Sequence, residues 1–357
     1  MSKLKLMKGN EALAEAAIRA GCDAYFGYPI TPQSEVLEYL SREANKRTGM
    51  VILQAESEIA SINMVYGAAG TGKKIMTSSS SPGISLMQEG ISYIACAELP
   101  CLIVNVNRGG PGLGTIQPAQ GDYFQSVKGG GHGDYHLIVL APSTVQEMSD
   151  FVKLSFELAF KYRNPVMILT DGALGQMMEK VEFFDQQPRE DILTGWETIG
   201  KPEDRESNVI TSLHIKPDKM EEINIHLQKK YKEIEKNEIR VEKIDCDDAD
   251  FIITGYGLVA RICQKAAQLA KDKGIKVGVI RPITLFPFPY QTYFDMADKV
   301  KGILDVEMNA GQMVEDVRLA VNGKVPVKFY GRMGGMVPTP EEILEALEEK
   351  FIGGKDE

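Results

Sequence analysis

Cysteine is scarce in this chain of 357 residues, and its spacing is informative. The five cysteines (Cys22, Cys96, Cys101, Cys246 and Cys263) are scattered, and no Cys-x-x-Cys pair occurs. Because iron–sulfur clusters are held by closely spaced thiolates, this chain by itself is not expected to bind one. The four histidines also lack the spacing of a zinc-binding helix. The sequence therefore predicts no metal ligands in this chain.

Long apolar runs and an excess of positive charge are absent as well. No stretch approaches the ~18 apolar residues that span a bilayer, and the N-terminus has no apolar signal region. The formal net charge is −10, without a basic stripe, which argues against nucleic-acid binding. With 43% hydrophobic residues the chain can build a real core. We expect a cytoplasmic protein of two or three domains, with neither nucleic-acid nor membrane partners.

The chain does contain an alternation of strand-like and helix-like segments up to about residue 172. Short apolar runs predict strands at 23–27, 50–54, 74–77, 101–106, 137–140 and 166–170. Such runs are typical of strands buried on both faces, so we expect an α/β fold with a mostly parallel sheet covered by helices. Ligands of such sheets bind at the carboxyl ends of the strands.

Changes in composition divide the chain into three parts. Residues 1–184 form the first α/β unit, residues 185–247 a charged connector, and residues 248–357 a smaller α/β unit. The connector begins with Gln187-Pro188-Arg189-Glu190-Asp191, and its second half, 216–243, is rich in Lys and Glu. That half is predicted to be a solvated helix with charge pairs.

Two glycine-rich stretches look like nucleotide-binding loops, and neither fits. In the stretch 67–74, Lys74 stands where a Ser or Thr must reach magnesium, and the glycines end a helix. Gly255-Tyr256-Gly257 joins a strand to a helix, as a dinucleotide site requires, but the next strand ends without an acid for the ribose. A tight strand–helix turn is the favoured interpretation there.

A carboxylate at the start of an apolar helix is the strongest functional signal. Gln54-Ala55-Glu56-Ser57-Glu58 leads into that helix. Desolvation there raises the proton affinity of a carboxylate, while the helix N-terminus favours its charged form, and such tuning suits proton transfer. Taken alone, Glu56 and Glu58 are more simply first-turn acids that complement the helix dipole.

Three further motifs change that interpretation. They are Gly27-Tyr28-Pro29-Ile30-Thr31-Pro32, Thr77-Ser78-Ser79-Ser80-Ser81-Pro82-Gly83 and Asn105-Val106-Asn107-Arg108-Gly109-Gly110-Pro111-Gly112. With the glutamate segment they resemble the α subunit of the 2-oxoacid:ferredoxin oxidoreductases, thiamine-diphosphate enzymes that oxidatively decarboxylate 2-oxoacids to acyl-CoA. The resemblance covers essentially the whole chain. It implies a pyrimidine-binding domain with helices on both faces of a parallel sheet, followed by a smaller domain like the C-terminal domain of transketolase.

The resemblance also implies roles for individual residues. Glu58 matches the Ser-Glu step whose carboxylic group hydrogen-bonds the cofactor's aminopyrimidine, whereas Glu56 would face another direction. Tyr28 and Pro29 are expected beside the cofactor. Thr31 offers a hydroxyl beside the reacting carbonyl, with helix capping as its simpler role. Arg108 is expected to clamp the substrate carboxylate, with pairing to a structural acid as the alternative.

Partner subunits are expected because this chain lacks part of the cofactor site of the family that it resembles. The family's Gly-Asp-Gly signature for diphosphate and magnesium is missing. Thiamine diphosphate is therefore expected to be shared with a β subunit that carries the diphosphate-binding domain and holds the magnesium. Iron–sulfur clusters and CoA are expected only in the assembled complex, with a ferredoxin-like iron–sulfur subunit and ferredoxin as electron acceptor.

The substrate is the least constrained part of the prediction. The glycine-rich stretch 109–118 and the compact length look most like the branched-chain (2-oxoisovalerate) enzymes. The 2-oxoglutarate enzymes share the 27–32 motif and Arg108 and are the alternative. A non-catalytic scaffold subunit is a further alternative, which the intact Glu58, Thr31 and Arg108 disfavour. The missing metal motif and the chain length disfavour a self-sufficient thiamine-dependent decarboxylase or transferase.

Overall fold

The computed structural model describes residues 4–189, 194–201, 203 and 206–353. Glu190 and Asp191 of the predicted connector lie outside the described residues. The strands are β1 (Lys5–Lys8), β2 (Ala24–Gly27), β3 (Val51–Gln54), β4 (Ile75–Ser79), β5 (Leu102–Asn107), β6 (Ile138–Leu140), β7 (Val166–Asp171), β8 (Met178–Val181), β9 (Val241–Ile244), β10 (Phe251–Thr254), β11 (Val277–Pro282), β12 (Thr284–Phe286), β13 (Gly302–Glu307) and β14 (Val327–Gly331).

The helices surround these strands. They are α1 (Gly9–Arg19), α2 (Ser34–Thr48), α3 (Glu58–Ala69), α4 (Ser81–Cys96), α5 (Tyr123–Val127), α6 (Val145–Tyr162), α7 (Gly172–Gln176), α8 (Pro217–Asn237), α9 (Gly257–Asp272), α10 (Tyr290–Ala297), α11 (Met313–Val321) and α12 (Pro340–Leu347), followed by a π-helical turn at Glu348–Ile352. None of the described helices combines the length and apolar character needed to cross a bilayer.

The first sheet has the strand order β12-β6-β7-β5-β4-β2-β3. Strands β2 to β7 run parallel within it, and only β12 is antiparallel to its neighbour. Its inner strands β4, β5 and β7 are buried along their whole length, as their apolar runs predict. The mostly parallel α/β architecture is therefore confirmed.

Strand β3 departs from the expectation of burial on both faces. The side chains of Val51 and Leu53 are 50% and 39% exposed. The reason is position, because β3 pairs only with β2 among the described strands and forms the edge of the sheet. An apolar run does not reveal whether a strand lies inside a sheet or at its edge.

The second sheet has the order β14-β13-β10-β11-β9 and is parallel except for β9. Strand β10 ends at Thr254 and α9 begins at Gly257, whose φ of +56° suits glycine. The tight strand–helix turn expected at Gly255-Tyr256-Gly257 is thus confirmed. Strands β1 and β8 form a separate antiparallel pair.

Helix α8 corrects the expectation of a solvated helix. Its side chains Leu227, Tyr231 and Ile234 are buried against the main core, and the ring of Tyr231 meets that of His136 edge-on at 5.3 Å. Lys230 donates to Glu98 Oε1 at 3.2 Å. The sequence prediction overlooked these apolar residues, which recur at helical spacing within the Lys- and Glu-rich segment. The boundaries at 184/185 and 247/248 stay a prediction.

Contacts around Gln120 join the two sheets. Gln120 is buried in the loop after β5, and its Nε2 donates to Tyr256 O at 2.9 Å. Its Oε1 accepts from Met308 N at 3.0 Å, and Asn309 Nδ2 donates to Gln120 O at 2.8 Å. The loop after β5 is therefore fixed against the loops after β10 and β13.

Candidate active site

The four sequence motifs meet at one edge of the first sheet. Strands β5, β4, β2 and β3 are consecutive neighbours in the sheet and run parallel. Their carboxyl ends therefore lie side by side, and each leads directly into one motif. Ligands of parallel sheets bind at this edge, so the four motifs form one candidate site.

Glu58 is the first residue of α3 and is 6% exposed. The helix begins there because Ser57 caps it, its Oγ accepting from Ala60 N at 3.1 Å. Glu56, two residues earlier, is exposed. No hydrogen bond to the Glu58 carboxylate is found among the residues that the structure describes. A largely buried carboxylate without a donor in its own chain suits a ligand that brings one.

Arg108 follows β5 and reaches across the site edge. Its Nη1 donates to Thr31 O and its Nη2 to Leu113 O, each at 2.9 Å. The alternative interpretation, pairing with a structural acid, is not found among the described residues, where Arg108 instead donates to two backbone carbonyls. The guanidinium has more N–H donors than these two carbonyls use, and its Nε is buried without a partner. It is thus held in place while keeping donors for a carboxylate.

Thr31 lies in the turn between β2 and α2, and its peptide bond to Pro32 is cis. The capping role is wrong for this residue, because α2 begins at Ser34 with Gln33 as its N-cap. Thr31 is exposed at the site edge, and only its carbonyl is bonded within the described structure. Its hydroxyl is therefore available to a ligand.

A series of buried hydrogen bonds fixes the turn that carries Thr31. Gln33 Nε2 donates to Tyr28 O at 3.1 Å, and Gln33 Oε1 accepts from Ser78 Oγ at 2.7 Å. Tyr25 in turn donates to Ser78 Oγ at 2.8 Å. Tyr28 is half-buried in this turn and Pro29 is exposed. Sequence reasoning missed Gln33, which has the pattern of an ordinary first-turn helix residue.

A cavity of about 440 Å³ opens beside Arg108 at the junction of the two sheets. Ser81 and Pro111 line one side of it, and Asn309 and Met333 line the other. A larger cavity of about 560 Å³ lies elsewhere, around Trp196, away from the converging motifs. The described residues contain no group of three His, Cys, Asp or Glu side chains suited to a metal ion.

Comparison with known proteins agrees with this geometry. Residues 15–245 match the thiamine-diphosphate-binding domain of pyruvate flavodoxin/ferredoxin oxidoreductases, and residues 249–343 match core domain II of pyruvate:ferredoxin oxidoreductase. The chain belongs to this family. The predicted enzyme class is therefore confirmed, and the chain is a subunit of a 2-oxoacid oxidoreductase.

Two curated relatives span nearly the same length as this family member. Ketoisovalerate oxidoreductase subunit VorB of Methanothermobacter thermautotrophicus is 50% identical over 97% of this chain and 97% of its own length. The 2-oxoglutarate synthase subunit KorA of Methanocaldococcus jannaschii is 37% identical over 97% of this chain and 99% of its own. Both are named as subunits of larger enzymes.

Two solved structures share the fold. The 2-oxoglutarate:ferredoxin oxidoreductase from Magnetococcus marinus, with 2-oxoglutarate, coenzyme A and succinyl-CoA bound, has a TM-score of 0.84 and 28% identity. The match covers 97% of this chain and 65% of that one. A split-gene transketolase, an inactive β4 tetramer, has a TM-score of 0.60 at 13% identity, covering 96% of this chain and 97% of its own, and shows the fold alone.

Proposed function

We propose that this oxidoreductase subunit is the α subunit of a thiamine-diphosphate-dependent 2-oxoacid:ferredoxin oxidoreductase. Its reaction is the oxidative decarboxylation of a branched-chain 2-oxoacid, 2-oxoisovalerate, to acyl-CoA. One observation carries the proposal: Glu58 is a buried carboxylate without a hydrogen-bond partner in the described structure, at the same sheet edge as Thr31 and Arg108.

The surroundings of Glu58 fit the aminopyrimidine of thiamine diphosphate. A ring nitrogen that carries a proton is the kind of donor that this carboxylate lacks within the chain. When bound, thiamine diphosphate supplies the nucleophilic carbon and the electron sink for decarboxylation. Glu58 holds the proton at the ring nitrogen, and Tyr28 and Pro29 border the cofactor from the turn after β2.

Arg108 and Thr31 orient the 2-oxoacid in this proposal. The remaining N–H groups of Arg108 bind the substrate carboxylate by charge-assisted hydrogen bonds. Because the carbonyls of Thr31 and Leu113 already fix the plane of the guanidinium, little side-chain freedom is lost on binding. The Thr31 hydroxyl lies beside the carbonyl that reacts.

The cavity beside Arg108 favours an apolar acyl chain. Arg108 is the only basic residue among the described residues that line it, Asp122 contributes an acid, and Pro111, Met308 and Met333 contribute apolar surface. A second carboxylate, as in 2-oxoglutarate, would need a second cation there. The 50% identity to a ketoisovalerate oxidoreductase subunit points to the same substrate. The 2-oxoglutarate reaction, named for a relative at 37% identity, is the second candidate.

Partner subunits complete the proposed enzyme. A β subunit supplies the diphosphate-binding domain and the magnesium, an iron–sulfur subunit carries electrons to ferredoxin, and CoA accepts the acyl group. Ile59, Leu113 and Ile116 are large apolar side chains exposed at the site edge, as expected of a surface that a partner covers. The cytoplasmic location stays a prediction.

The substrate is tested on the assembled enzyme. With 2-oxoisovalerate, 2-oxoglutarate and pyruvate, kcat/KM for reduction of a ferredoxin or dye acceptor should be highest for 2-oxoisovalerate. We expect a margin of roughly tenfold or more, since one methylene group in an apolar pocket already changes kcat/KM by about that factor. A preference for 2-oxoglutarate would replace the substrate while keeping the enzyme class.

A further inference from the structure

The Glu58 carboxylate lies in a corner formed by the end of β4 and the start of α4. Ser79 is the last residue of β4, and Gly83 is the third residue of α4. A Cβ atom at Gly83 would lie 2.6 Å from Glu58 Oε1 and closer still to Ser79 Oγ. Real Cβ atoms do not approach oxygen so closely. Both oxygens therefore border one small space that exists only because residue 83 is glycine.

The hydroxyl of Ser79 differs from those of the serines around it. Ser78, Ser80 and Ser81 all use their hydroxyl groups in hydrogen bonds, for example Ser80 Oγ to Val106 O at 2.7 Å. Ser79 Oγ is fully buried and has no partner among the described residues. A hydroxyl hydrogen rotates to suit its acceptor, and the acceptor that borders the same space is the Glu58 carboxylate.

A second glycine keeps α4 close to the face of α3 that carries Glu58. A Cβ atom at Gly90 would lie 2.5 Å from Ile62 Cγ2. Ile62 is one turn after Glu58 and on the same helix face. Glycines thus meet two successive residues of that face. The carboxylate lies at the first turn of its own helix and beside the first turn of α4.

We propose that Ser79 and Gly83 are positioning residues for Glu58. In the complex with the cofactor, the Ser79 hydroxyl donates a hydrogen bond to one carboxylate oxygen, a bond that the described chain does not form by itself, and Gly83 leaves the space for this contact. The other oxygen is then free for the ring nitrogen of the cofactor. This inference rests on the proposed role of Glu58 and extends it to the two residues that hold its side chain.

The test uses the assembled complex with four single variants. Ser79→Ala removes the donor, and Gly83→Ala fills the space. Gly67→Ala is the matched glycine control, because it adds a Cβ to α3 where nothing lies within 4 Å. Ser155→Ala is the matched serine control, because it removes a buried, unpartnered hydroxyl in α6.

Two measurements report on the binding and activation of the cofactor, independently of catalytic turnover. They are the affinity for thiamine diphosphate with magnesium and the rate at which the thiazolium C2 proton exchanges for deuterium. Ser79→Ala and Gly83→Ala should slow the exchange by roughly 10- to 100-fold, the factor that corresponds to one hydrogen bond to a charged group. Both controls should exchange at the wild-type rate, and the unfolding temperature of Ser79→Ala should match that of Ser155→Ala.

Exchange within about twofold of wild type in Ser79→Ala and Gly83→Ala would overturn the inference, since neither change would then reach the cofactor. Ser79→Ala decides alone if Gly83→Ala does not fold, because it only removes an atom.

Glu58→Gln, measured in parallel, distinguishes a failure of this inference from a failure of the proposed role of Glu58. If it slows exchange while the Ser79 and Gly83 variants do not, only the inference fails. If it leaves exchange unchanged, the proposed role of Glu58 fails as well.

Discussion

Two glutamates lie buried at the carboxyl ends of the two sheets, and their surroundings differ. Glu307 ends β13, and its carboxylate accepts from Asn309 Nδ2 at 2.7 Å and from the backbone N–H groups of Gln312, Met313 and Val314 at 2.9–3.1 Å. Glu58 follows β3 and has no hydrogen-bond partner among the described residues. Both side chains are buried, and the two carboxylates differ in the hydrogen bonds that the described chain gives them.

The largest expected effect is on catalysis at the unpartnered acid. Glu58→Gln should fold normally and lose activity by roughly 10²- to 10⁴-fold, because the amide cannot hold the proton at the cofactor ring. Reduction of an electron acceptor by the reconstituted complex measures this. Glu56→Gln is the control and should stay near wild type, since Glu56 is exposed two residues away. A large loss in the control instead would transfer the role to Glu56.

Arg108→Ala should raise KM for the 2-oxoacid by roughly 10- to 100-fold, the effect of losing charge-assisted hydrogen bonds to the carboxylate. The affinity for thiamine diphosphate should change far less. Arg108→Lys tests the geometry, because a lysine keeps the charge and cannot hold the carbonyls of Thr31 and Leu113 together. It should also raise KM. An unchanged KM in a folded Arg108→Ala complex would make Arg108 structural.

Substitution of Glu307, the structural acid, should lower the stability of the fold and leave the cofactor chemistry unchanged. Glu307→Ala leaves the first N–H groups of α11 without their acceptor and should lower the free energy of unfolding by about 1–3 kcal/mol. Denaturant unfolding measures the loss. The C2 proton exchange of the complex that remains folded should equal wild type. A loss of exchange without a loss of stability would erase the distinction between the two glutamates.

A dependence of stability on pH is expected from Asp171, which caps α7, its Oδ1 accepting from Ala173 N at 2.8 Å. Burial raises the pKa of Asp171 from 3.8 to about 6. The folded state therefore binds a proton that the unfolded state releases, and stability falls as pH rises from 3.8 to about 6. Asp171→Asn keeps a capping side chain and removes this titration. Thermal unfolding against pH should be flatter for the variant, and parallel curves would contradict the assignment.

Much of the fold could be predicted because its signals are local. Continuous apolar runs mark the inner strands β4, β5 and β7, and the rule for carboxyl ends of parallel strands brings the four motifs together. The edge position of β3 and the buried stripe of α8 depend on which neighbours exist, and no local pattern states that. Strand β12 pairs with β6 across more than a hundred residues of sequence, and the predictions omit it.

The site shows the same division between local and distant information. Glu58 could be identified because a Ser-Glu step opens an apolar helix. The contacts between Arg108 and backbone carbonyls could not be identified from the sequence, since Thr31 lies 77 residues away from Arg108. Gln33 and the corner of Ser79 and Gly83 depend on how α2, α3 and α4 approach the sheet, which only the packed structure reveals.

The most direct measurement is the experimental structure of the assembled complex with thiamine diphosphate bound. The account predicts a Glu58 carboxylate oxygen at hydrogen-bond distance, about 2.6–3.2 Å, from the aminopyrimidine ring nitrogen. Glu307 should keep its four intrachain donors in the same structure. A Glu58 side chain paired with a residue of a partner subunit, with the cofactor ring bound elsewhere, would contradict the central claim that this acid binds the cofactor ring.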